Sequence, residues 1–201
     1  MAEYHFNTPI SKDDVQKVKI GDVIYISGVI FTARDEAHER ALKLARNGEK
    51  MPIDFEGLAV YHCGPVVRKV NEQWEIVAAG PTTSTRMDLF QDEFIKTFNV
   101  NVVIGKGGMG ERTAKAMKEF KAIYTAFVGG AAVVAARGIK RVKEVHWLDL
   151  GTPECLWVLE VENFGPLIVG IDTNGDSLFQ NVSDQAKANL GKIGEVLGVQ
   201  F

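Results

Sequence analysis

The 201-residue chain is poor in cysteine, in excess basic charge and in long apolar runs. Only Cys63 and Cys155 occur, without CxxC spacing, so the sequence by itself offers neither a disulfide framework nor a zinc site. A net charge of −3 argues against the basic footprint of a nucleic-acid binder. The longest uncharged apolar run, residues 127–136, has about half the length that a membrane-spanning helix needs. We expect two buried thiols, no nucleic-acid partner and no membrane span.

Targeting and linker signals are missing as well. Residues 1–18 have neither the basic nor the apolar region of a signal peptide, so we expect a cytoplasmic protein. No Pro/Ser-rich linker, low-complexity tract or block of like charges divides the chain. Hydrophobic residues make up 46% and charged residues 24%, as in ordinary globular proteins. The sequence predicts a single domain over residues 1–201.

The hydrophobic pattern changes several times between strand and helix periods. It predicts strands at 23–31, 58–62, 66–70, 74–79, 101–104, 123–128, 142–149, 156–161 and 167–172. Helices are predicted to begin near residues 33, 85, 111 and 129, with a last one over 183–197. Strand–helix alternation favours a parallel sheet, whereas the short connection at 71–73 and the strand-dense 142–172 region favour antiparallel pairing. The expected fold is a mixed α/β domain with two sheets.

The last predicted helix carries an apolar stripe. Its members at helical spacing are Ala186, Leu190, Ile193, Val196 and Leu197. Such a stripe is typical of a helix that packs on its own core. We therefore expect this stripe to face the core rather than a partner.

Three segments in the first 110 residues share one pattern: an apolar strand, a Gly/Ser/Thr turn and a helix start that carries a cation. The cations are Arg34, Arg86 and Lys106. A helix start already favours anions, because its N–H groups are unpaired and the helix dipole is positive there. Three such sites in one cleft would suit a small molecule with more than one carboxylate.

Arg34 belongs to the first of these helix starts. Thr32, followed by Asp35 and Glu36, predicts a capping box that places Arg34 in the first helical turn. The helix dipole disfavours a cation there, so Arg34 needs a compensating anion. That anion is either a ligand or the adjacent carboxylates and solvent. His38 falls one turn later on the same face and is predicted to support Arg34.

The second segment, residues 80–86, follows the apolar run IVAA. Its four consecutive hydroxyls are those of Thr82, Thr83, Ser84 and Thr85. The carboxyl end of a strand is where open α/β sheets bind ligands. Hydroxyls also cap helices, but capping one helix uses one hydroxyl rather than four. The pattern therefore indicates a binding site, and spacing does not choose which hydroxyl acts.

The third segment, residues 105–110, matches GxGxxG between a strand and a helix. A dinucleotide site also needs an acidic residue near the end of the next strand, and residues 123–130 offer none. The P-loop pattern fails too, because Lys106 precedes the glycines. What remains is a turn with exposed N–H groups and one lysine, which suits a carboxylate or a single phosphate. The four histidines show no metal-ligand spacing, so we expect surface or packed histidines.

Longer motifs extend over nearly the whole chain. They are TARDEAH, YHCGPVV, AAGPTTSTRMD, IGKGGMG and EVHWLDLGTPECLWVLEVENFGPLIVGIDTNG. With them the sequence resembles the β subunit, or equivalent C-terminal domain, of class I iron–sulfur fumarate hydratases and of L(+)-tartrate dehydratases. The resemblance implies a mixed-sheet, three-layer β/β/α fold similar to the swivelling domain of aconitase-type enzymes. It also implies a hydro-lyase that hydrates fumarate to L-malate, with L(+)-tartrate dehydration as the alternative.

Carried over by motif, the resemblance implies that Arg34, Arg86 and Lys106 bind substrate carboxylates. It also places Thr82 at the reacting carbons as a proton donor or relay, and the resemblance alone selects this hydroxyl. The residues expected to support these four are Thr83, Gly105, Gly107 and His38.

The family resemblance also implies a 4Fe-4S cluster. Such a cluster needs three or four thiolates, and this chain has two cysteines in unrelated contexts. We expect the cluster and the general base on a separate α subunit, with no metal ligated by this chain. The expected partners are that α subunit and a small dicarboxylate substrate, within an oligomer.

Two alternatives from other classes stay open. A nicotinamide-dependent oxidoreductase would be built on the 105–110 turn, and tight NADH binding would indicate it. A non-catalytic anion-binding or assembly module would bind dicarboxylates, and no α subunit would make it active.

Overall fold

The computed structural model describes residues 1–130 and 132–198, which form nine strands and six α-helices. The strands are β1 (Glu3–Asn7), β2 (Val23–Thr32), β3 (Ala59–Tyr61), β4 (Val66–Val70), β5 (Gln73–Ala78), β6 (Val102–Gly105), β7 (Ile123–Ala126), β8 (Ile139–His146) and β9 (Leu156–Ile171). The α-helices are α1 (Lys12–Val15), α2 (Asp35–Arg46), α3 (Gln91–Phe98), α4 (Glu111–Phe120), α5 (Ala132–Arg137) and α6 (Leu178–Leu197). Two 3₁₀ helices cover Ser84–Leu89 and Leu148–Leu150. No helix in this part of the chain has the length and apolar character that crossing a membrane requires.

Seven strands form one mixed sheet in the order β1-β2-β3-β6-β7-β9-β8. The first five of these are parallel, and β9 is antiparallel to β7, β8 and β2. Because β9 pairs with both β7 and β2, five strands form a closed ring of pairings. The hairpin β4–β5 turns at Asn71 and Glu72, whose φ values of 47° and 62° suit a two-residue hairpin turn. The predicted mixed α/β fold with parallel and antiparallel pairing is confirmed.

Two hydrophobic clusters lie on opposite faces of the parallel strands. Side chains alternate between them, so Val102 and Ile104 belong to one cluster and Val103 to the other. The first cluster includes much of β9, and Trp157 of that strand meets Trp74 of the hairpin edge-on. The second includes buried residues of α2, α3 and α4. The parallel strands therefore carry helices on one face and antiparallel strands on the other.

Strand β9 runs without interruption where the sequence predicts two strands. Asn163, in the segment between the two predicted strands, has a positive φ of 48°. However, β2 pairs with both halves of β9, and its register shifts between Ile26 and Gly28. The irregular stretch is therefore a bulge within one strand rather than a connection between two.

The N-terminal elements β1 and α1 were not predicted. Phe6 is the one buried residue of β1, so the alternation that indicates a strand is nearly absent there. Helix α1 has four residues, too few for a helical period to be visible. Both elements depend on contacts that are distant in sequence, since β1 pairs in parallel with the start of β2.

Helix α6 begins before its predicted start, and its apolar stripe does not face the core. Ala186 is exposed, and Leu190 and Ile193 are 40% and 45% exposed, so the prediction is wrong for these residues. The side chains of Val196 and Leu197 lie outside the described residues. Helical spacing shows that one side of a helix is apolar, but it does not show what that side contacts.

Candidate functional site

The loops after β2, β3, β6 and β7 lie at one edge of the sheet, because these parallel strands end on the same side. Beyond the strand ends, backbone hydrogen bonds continue between the segments that follow neighbouring strands. The Ala33 N–H donates to the Tyr61 carbonyl (3.1 Å), and the His62 N–H donates to the Ile104 carbonyl (2.8 Å). Ligands bind at this carboxyl edge in open α/β sheets. The three cations predicted from the sequence all lie in or beside these loops.

Residues 82–84 connect the ends of β3 and β6. The Thr82 N–H donates to the His62 carbonyl (2.7 Å), and the Ser84 N–H donates to the Lys106 carbonyl (2.9 Å). Thr83 and Lys106 also pair as an isolated parallel bridge. Thr82 is half-buried and Thr83 is exposed. The hydroxyl-rich segment and the Lys106 turn therefore form one continuous surface.

Arg34 is held between the start of α2 and the loop before β9. Its Nη2 lies 2.9 Å from Oε1 of Glu154, and both side chains are largely buried, with 20% and 18% exposed. The other carboxylate oxygen of Glu154 accepts a hydrogen bond from the Glu36 N–H (3.3 Å). Arg34 also lies against Gly64, where an added Cβ would approach Nη1 to 2.8 Å. The anion favoured at this helix start is thus supplied by Glu154 in this structure.

The capping box predicted at Thr32 does not form. The Thr32 hydroxyl accepts a hydrogen bond from the Trp157 N–H (3.2 Å) and is fully buried. Arg34 is itself the N-cap residue of α2 and makes no side-chain capping bond. It therefore precedes the first turn, and its anion is Glu154 rather than the adjacent carboxylates. The Thr32 hydroxyl therefore bonds to β9, which is distant in sequence, instead of capping α2.

Arg86 lies within the 3₁₀ helix rather than at the start of an α-helix, which corrects the sequence-based picture. Its Nη2 donates to Oδ2 of Asp35 (2.8 Å), and the arginine side chain is 53% exposed. Asp35 begins α2, directly after Arg34. This ion pair therefore joins the Arg86 segment to the Arg34 turn.

Lys106 precedes α4, which begins at Glu111, so it too is not at an α-helix start. The lysine is half-buried, and its Cδ lies 3.4 Å from where a Cβ on Gly129 would be. Gly107 and Gly108 have φ values of 78° and 79°, the left-handed region that glycine adopts most readily. Among the side chains whose placement the structure describes, no carboxylate lies within salt-bridge distance of Lys106. It is the least compensated of the three cations.

The two thiols are poorly suited to a metal cluster. Burial raises the pKa of Cys63 to about 12, although the Arg34 charge opposes this, and burial raises that of Cys155 to about 11. A four-iron cluster needs three or four thiolates, and this chain has two cysteines. In the described part of the chain, no group of three His, Cys, Asp or Glu residues is arranged to hold a metal ion. These residues do not fit a four-iron cluster.

The supporting residues have distinct environments. Ser84 is fully buried, and its hydroxyl contacts Nδ1 of His62 (3.0 Å) and accepts from the Lys106 N–H (3.2 Å). A Cβ on Gly105 would lie 1.8 Å from that oxygen, so glycine is needed for close approach. His38 is buried, and its Nδ1 lies 2.8 Å from the Arg34 carbonyl oxygen. The sequence predicted a surface or packed His62 but gave it no role, although the YHCGPVV motif contains it, and it predicted neither the Arg34–Glu154 nor the Arg86–Asp35 pair.

Comparison with known proteins identifies the family of this chain. The family model described as Fumarase C-terminus matches residues 2–182. The chain belongs to the fumarase C-terminal family. The resemblance inferred from the motifs is thereby confirmed.

Relatives in this family carry two kinds of name. The chain is 48% identical over 171 residues to the "L(+)-tartrate dehydratase subunit beta" of Escherichia coli K12, covering 85% of this chain and 84% of that protein. It is 44% identical over 198 residues to the "Putative L(+)-tartrate dehydratase subunit beta" of Methanocaldococcus jannaschii, covering 98% and 100%. It is 38% identical over 188 residues to the "Putative fumarate hydratase class I" of Geobacillus stearothermophilus, covering 93% of this chain and 35% of that longer protein.

Proposed function

We propose that this fumarase C-terminal chain is the β subunit of a hydro-lyase that hydrates fumarate to L-malate reversibly. The observation that carries this proposal is the meeting of three cationic loops at one edge of the sheet. Fumarate and malate carry two carboxylates, which match a site with more than one cation. The family membership favours this function over a nicotinamide-dependent oxidoreductase or an anion-binding module.

Arg34, Arg86 and Lys106 would bind the substrate carboxylates. Lys106 offers the least compensated charge, since no described carboxylate pairs with it. Arg34 and Arg86 contact Glu154 and Asp35, so a bound carboxylate would share or replace these partners. Positive groups fixed beforehand also stabilise the negative charge that develops when the proton leaves the carbon next to a carboxylate.

Thr82 is the proposed proton donor or relay among the four hydroxyls. The Ser84 hydroxyl is turned into the core, where its neighbours occupy its hydrogen-bonding positions. Thr82 is half-buried, and its backbone is fixed by the bond to His62. A partly buried hydroxyl on a fixed backbone is better placed than an exposed one to meet a substrate carbon reproducibly.

The cluster implied by the family would have to reside on another chain, because the thiols here do not fit it. We propose a cluster-bearing α subunit as the partner, with the active site shared across the interface and the general base on the α side. We further propose that the chain acts as one domain with the β/β/α swivelling architecture. The hydrophobic clusters on both faces of the parallel strands support that architecture. An oligomeric, cytoplasmic complex completes the proposal.

L(+)-tartrate dehydration is the second candidate. The names of the relatives from Escherichia coli and Methanocaldococcus jannaschii favour it, and the chain covers most of both proteins. The same cations would bind the carboxylates of tartrate. The extra hydroxyl group distinguishes the two substrates, so residues that contact this hydroxyl would determine specificity.

Anaerobic reconstitution tests the proposal. The purified chain is mixed with a cluster-loaded α subunit of the same family, and kcat/KM is measured for fumarate, L-malate and L(+)-tartrate. We expect no turnover by the chain alone and turnover by the complex, and the ratio of kcat/KM values decides between the substrates. Hydration of fumarate by the chain alone would contradict the shared site. Dicarboxylate binding without activity in any complex would indicate a binding module.

A further inference from the structure

Behind the three cationic loops lies a row of buried polar side chains that the proposed chemistry does not use. In spatial order it consists of His38, Gln91, His62, Ser84 and Tyr124. All five are fully buried. Buried polar groups are costly unless they are hydrogen-bonded, so such a row needs a physical explanation.

One end of the row holds the Lys106 turn. The Gly108 N–H donates to the Tyr124 hydroxyl (3.3 Å), which donates to the Ser84 oxygen (3.2 Å). Ser84 also accepts from the Lys106 N–H (3.2 Å). With two donors aimed at its oxygen, the serine directs its own proton to Nδ1 of His62 (3.0 Å).

The other end of the row holds the Arg34 turn. Nε2 of His62 donates to Oε1 of Gln91 (2.8 Å), and Nδ1 of His38 donates to the Arg34 carbonyl (2.8 Å). These partners assign the tautomers. Between the two ends, the Gln91 amide nitrogen and Nε2 of His38 are both buried without a hydrogen-bond partner. The Gln91 amide nitrogen is a donor and Nε2 of His38 is an acceptor, so the two atoms have complementary hydrogen-bonding roles.

The row requires both histidines to be neutral, since each ring supplies one donor and one acceptor. Burial lowers the pKa of His62 to about 3 and that of His38 to about 4, which keeps both rings neutral at physiological pH. The hydrogen bonds that are present all point in one direction, from the Lys106 turn towards the Arg34 turn, and no hydrogen bond joins Gln91 to His38. On the Lys106 side of that gap, the bonds in series polarise one another.

We propose that this buried row is a positioning device that fixes the Lys106 turn, the 82–86 segment and the Arg34 turn relative to one another. His62 is central to it, because its carbonyl also accepts from the Thr82 N–H (2.7 Å). The row touches backbone and hydroxyl groups behind the site and does not contact the substrate in this account. Its members are therefore positioning residues. The identity of the ligand rests on the proposed function, whereas the coupling between loops does not.

The residues around the row are packed closely against it, which supports a positional role. Gly105 lies against it so closely that an added Cβ would be 1.8 Å from the Ser84 oxygen and 3.2 Å from Nδ1 of His62. The Thr82 and Lys106 backbones are each hydrogen-bonded to a member of the row. A small displacement of the row must therefore shift both, and a misplacement of about 1 Å can lower an enzymatic rate roughly 100-fold.

Two neighbouring substitutions on β7 test the proposal. Tyr124→Phe removes the hydroxyl at one end of the row and keeps the ring. Thr125→Val is the matched control, because it removes another buried hydroxyl, which donates to the Val103 carbonyl (3.2 Å) outside the row. If Tyr124→Phe does not fold, Ser84→Ala replaces it against the same control.

The first measurement uses the isolated chain and needs no activity. Amide hydrogen exchange and imidazole ¹⁵N shifts are recorded by NMR for the wild type and both variants. We expect Tyr124→Phe to accelerate exchange at Lys106 and Gly108 about 10-fold and to shift the signals of both histidines. Thr125→Val should change neither. A response that stops before His38 would overturn the proposal, because the loops would then not be coupled.

The second measurement uses the reconstituted complex on its better substrate. We expect Tyr124→Phe to lower kcat about 10-fold with a smaller change in KM, and Thr125→Val to stay within about 2-fold of wild type. Equal kinetic losses in the two variants would overturn the positional role. A wild-type complex that converts neither fumarate nor tartrate would contradict the proposed function instead. In that case the NMR measurement alone decides whether the row couples the loops.

Discussion

At the sheet edge that carries the candidate site, the residues on the outer, solvent-facing side are charged, whereas those on the inner, core-facing side are neutral. On the outer side, Arg34, Arg86 and Lys106 carry full charges and keep contact with water or carboxylates. On the inner side, His38 and His62 are completely buried and neutral. Burying a charge costs several kcal/mol, whereas a neutral, hydrogen-bonded group can be buried at much lower cost. In the proposed function and the further inference together, the charged groups bind the ligand and the neutral groups hold the loops in place.

Acid should destabilise the inner side most strongly. The unfolded chain protonates its histidines below about pH 6.5, whereas the folded chain resists protonation of His38 and His62 until about pH 4 and about pH 3. The unfolded state therefore binds more protons, and stability must fall as the pH decreases through this window. We expect the free energy of unfolding to decrease by roughly 4 kcal/mol between pH 6.5 and 4.5.

Urea unfolding at several pH values measures this effect. His5→Asn is the control, because it removes a histidine whose side chain is 59% exposed instead of a buried one. The carboxylates whose pKa is lowered by ion pairs, such as Glu93 beside Arg46, lose most of their contribution below pH 4.5. Constant stability from pH 7 to pH 5 would contradict the buried neutral pair.

Removal of the least compensated cation should affect the outer side next. Lys106→Ala in the reconstituted complex should weaken transition-state stabilisation by about 1.5–3 kcal/mol, because a charge-assisted bond to a carboxylate is lost. That corresponds to a roughly 10- to 150-fold lower kcat/KM. Lys115→Ala is the matched control, since Lys115 is exposed and pairs with Glu111 in α4. Equal kcat/KM for both variants would remove Lys106 from the site.

Substitution of two glycines compares the packing on the inner and outer sides. Gly105→Ala places a methyl group against Ser84 on the inner side and should destabilise the fold by about 1–3 kcal/mol. Gly129→Ala places one 3.4 Å from Lys106 on the outer side, at ordinary van der Waals distance, and should change stability by less than about 0.5 kcal/mol. Thermal unfolding of both variants makes the comparison, and similar losses would show that the two sides are equally packed.

The smallest expected effect concerns the carboxylate that pairs with Arg86. Asp35→Asn removes an ion pair whose arginine is 53% exposed, so stability should change by less than about 1 kcal/mol. Arg86 becomes available to the substrate, and we expect KM to fall by about 2- to 3-fold. Asp92→Asn, which releases Arg112 on the α3–α4 surface, should leave KM unchanged. A raised KM in Asp35→Asn would mean that Asp35 orients Arg86 instead of competing for it.

Much of the fold was predictable because local patterns determine it. The buried central strands have apolar runs such as that around Val103, and the β4–β5 turn follows from residues 71–73. The remaining features could not be predicted, because they depend on hydrogen bonds between segments that are distant in sequence. The Thr32 hydroxyl bonds to β9 instead of capping α2, and β2 keeps β9 continuous across its bulge. Neither result is visible within a local window of sequence.

The three cations of the candidate site were predicted from the sequence, but the carboxylates with which they form ion pairs were not. Strand ends and turn glycines indicated the loops of Arg34, Arg86 and Lys106, and the structure brings these loops to one edge. Their partners Glu154 and Asp35 depend on tertiary geometry. The family motifs selected Thr82, and its role stays a prediction. Of the buried row, helical spacing indicated only His38, because the contacts that join Gln91, His62, Ser84 and Tyr124 are between segments distant in sequence.

A comparison of fumarate with its monomethyl ester tests the central claim most directly. Dissociation constants for both are measured on the reconstituted wild-type complex and on its Arg34→Ala, Arg86→Ala and Lys106→Ala variants. If the cations bind two carboxylates, the wild type should prefer fumarate roughly 10-fold or more, and at least one variant should lose nearly all of this preference. An undiminished preference in all three variants would contradict the account.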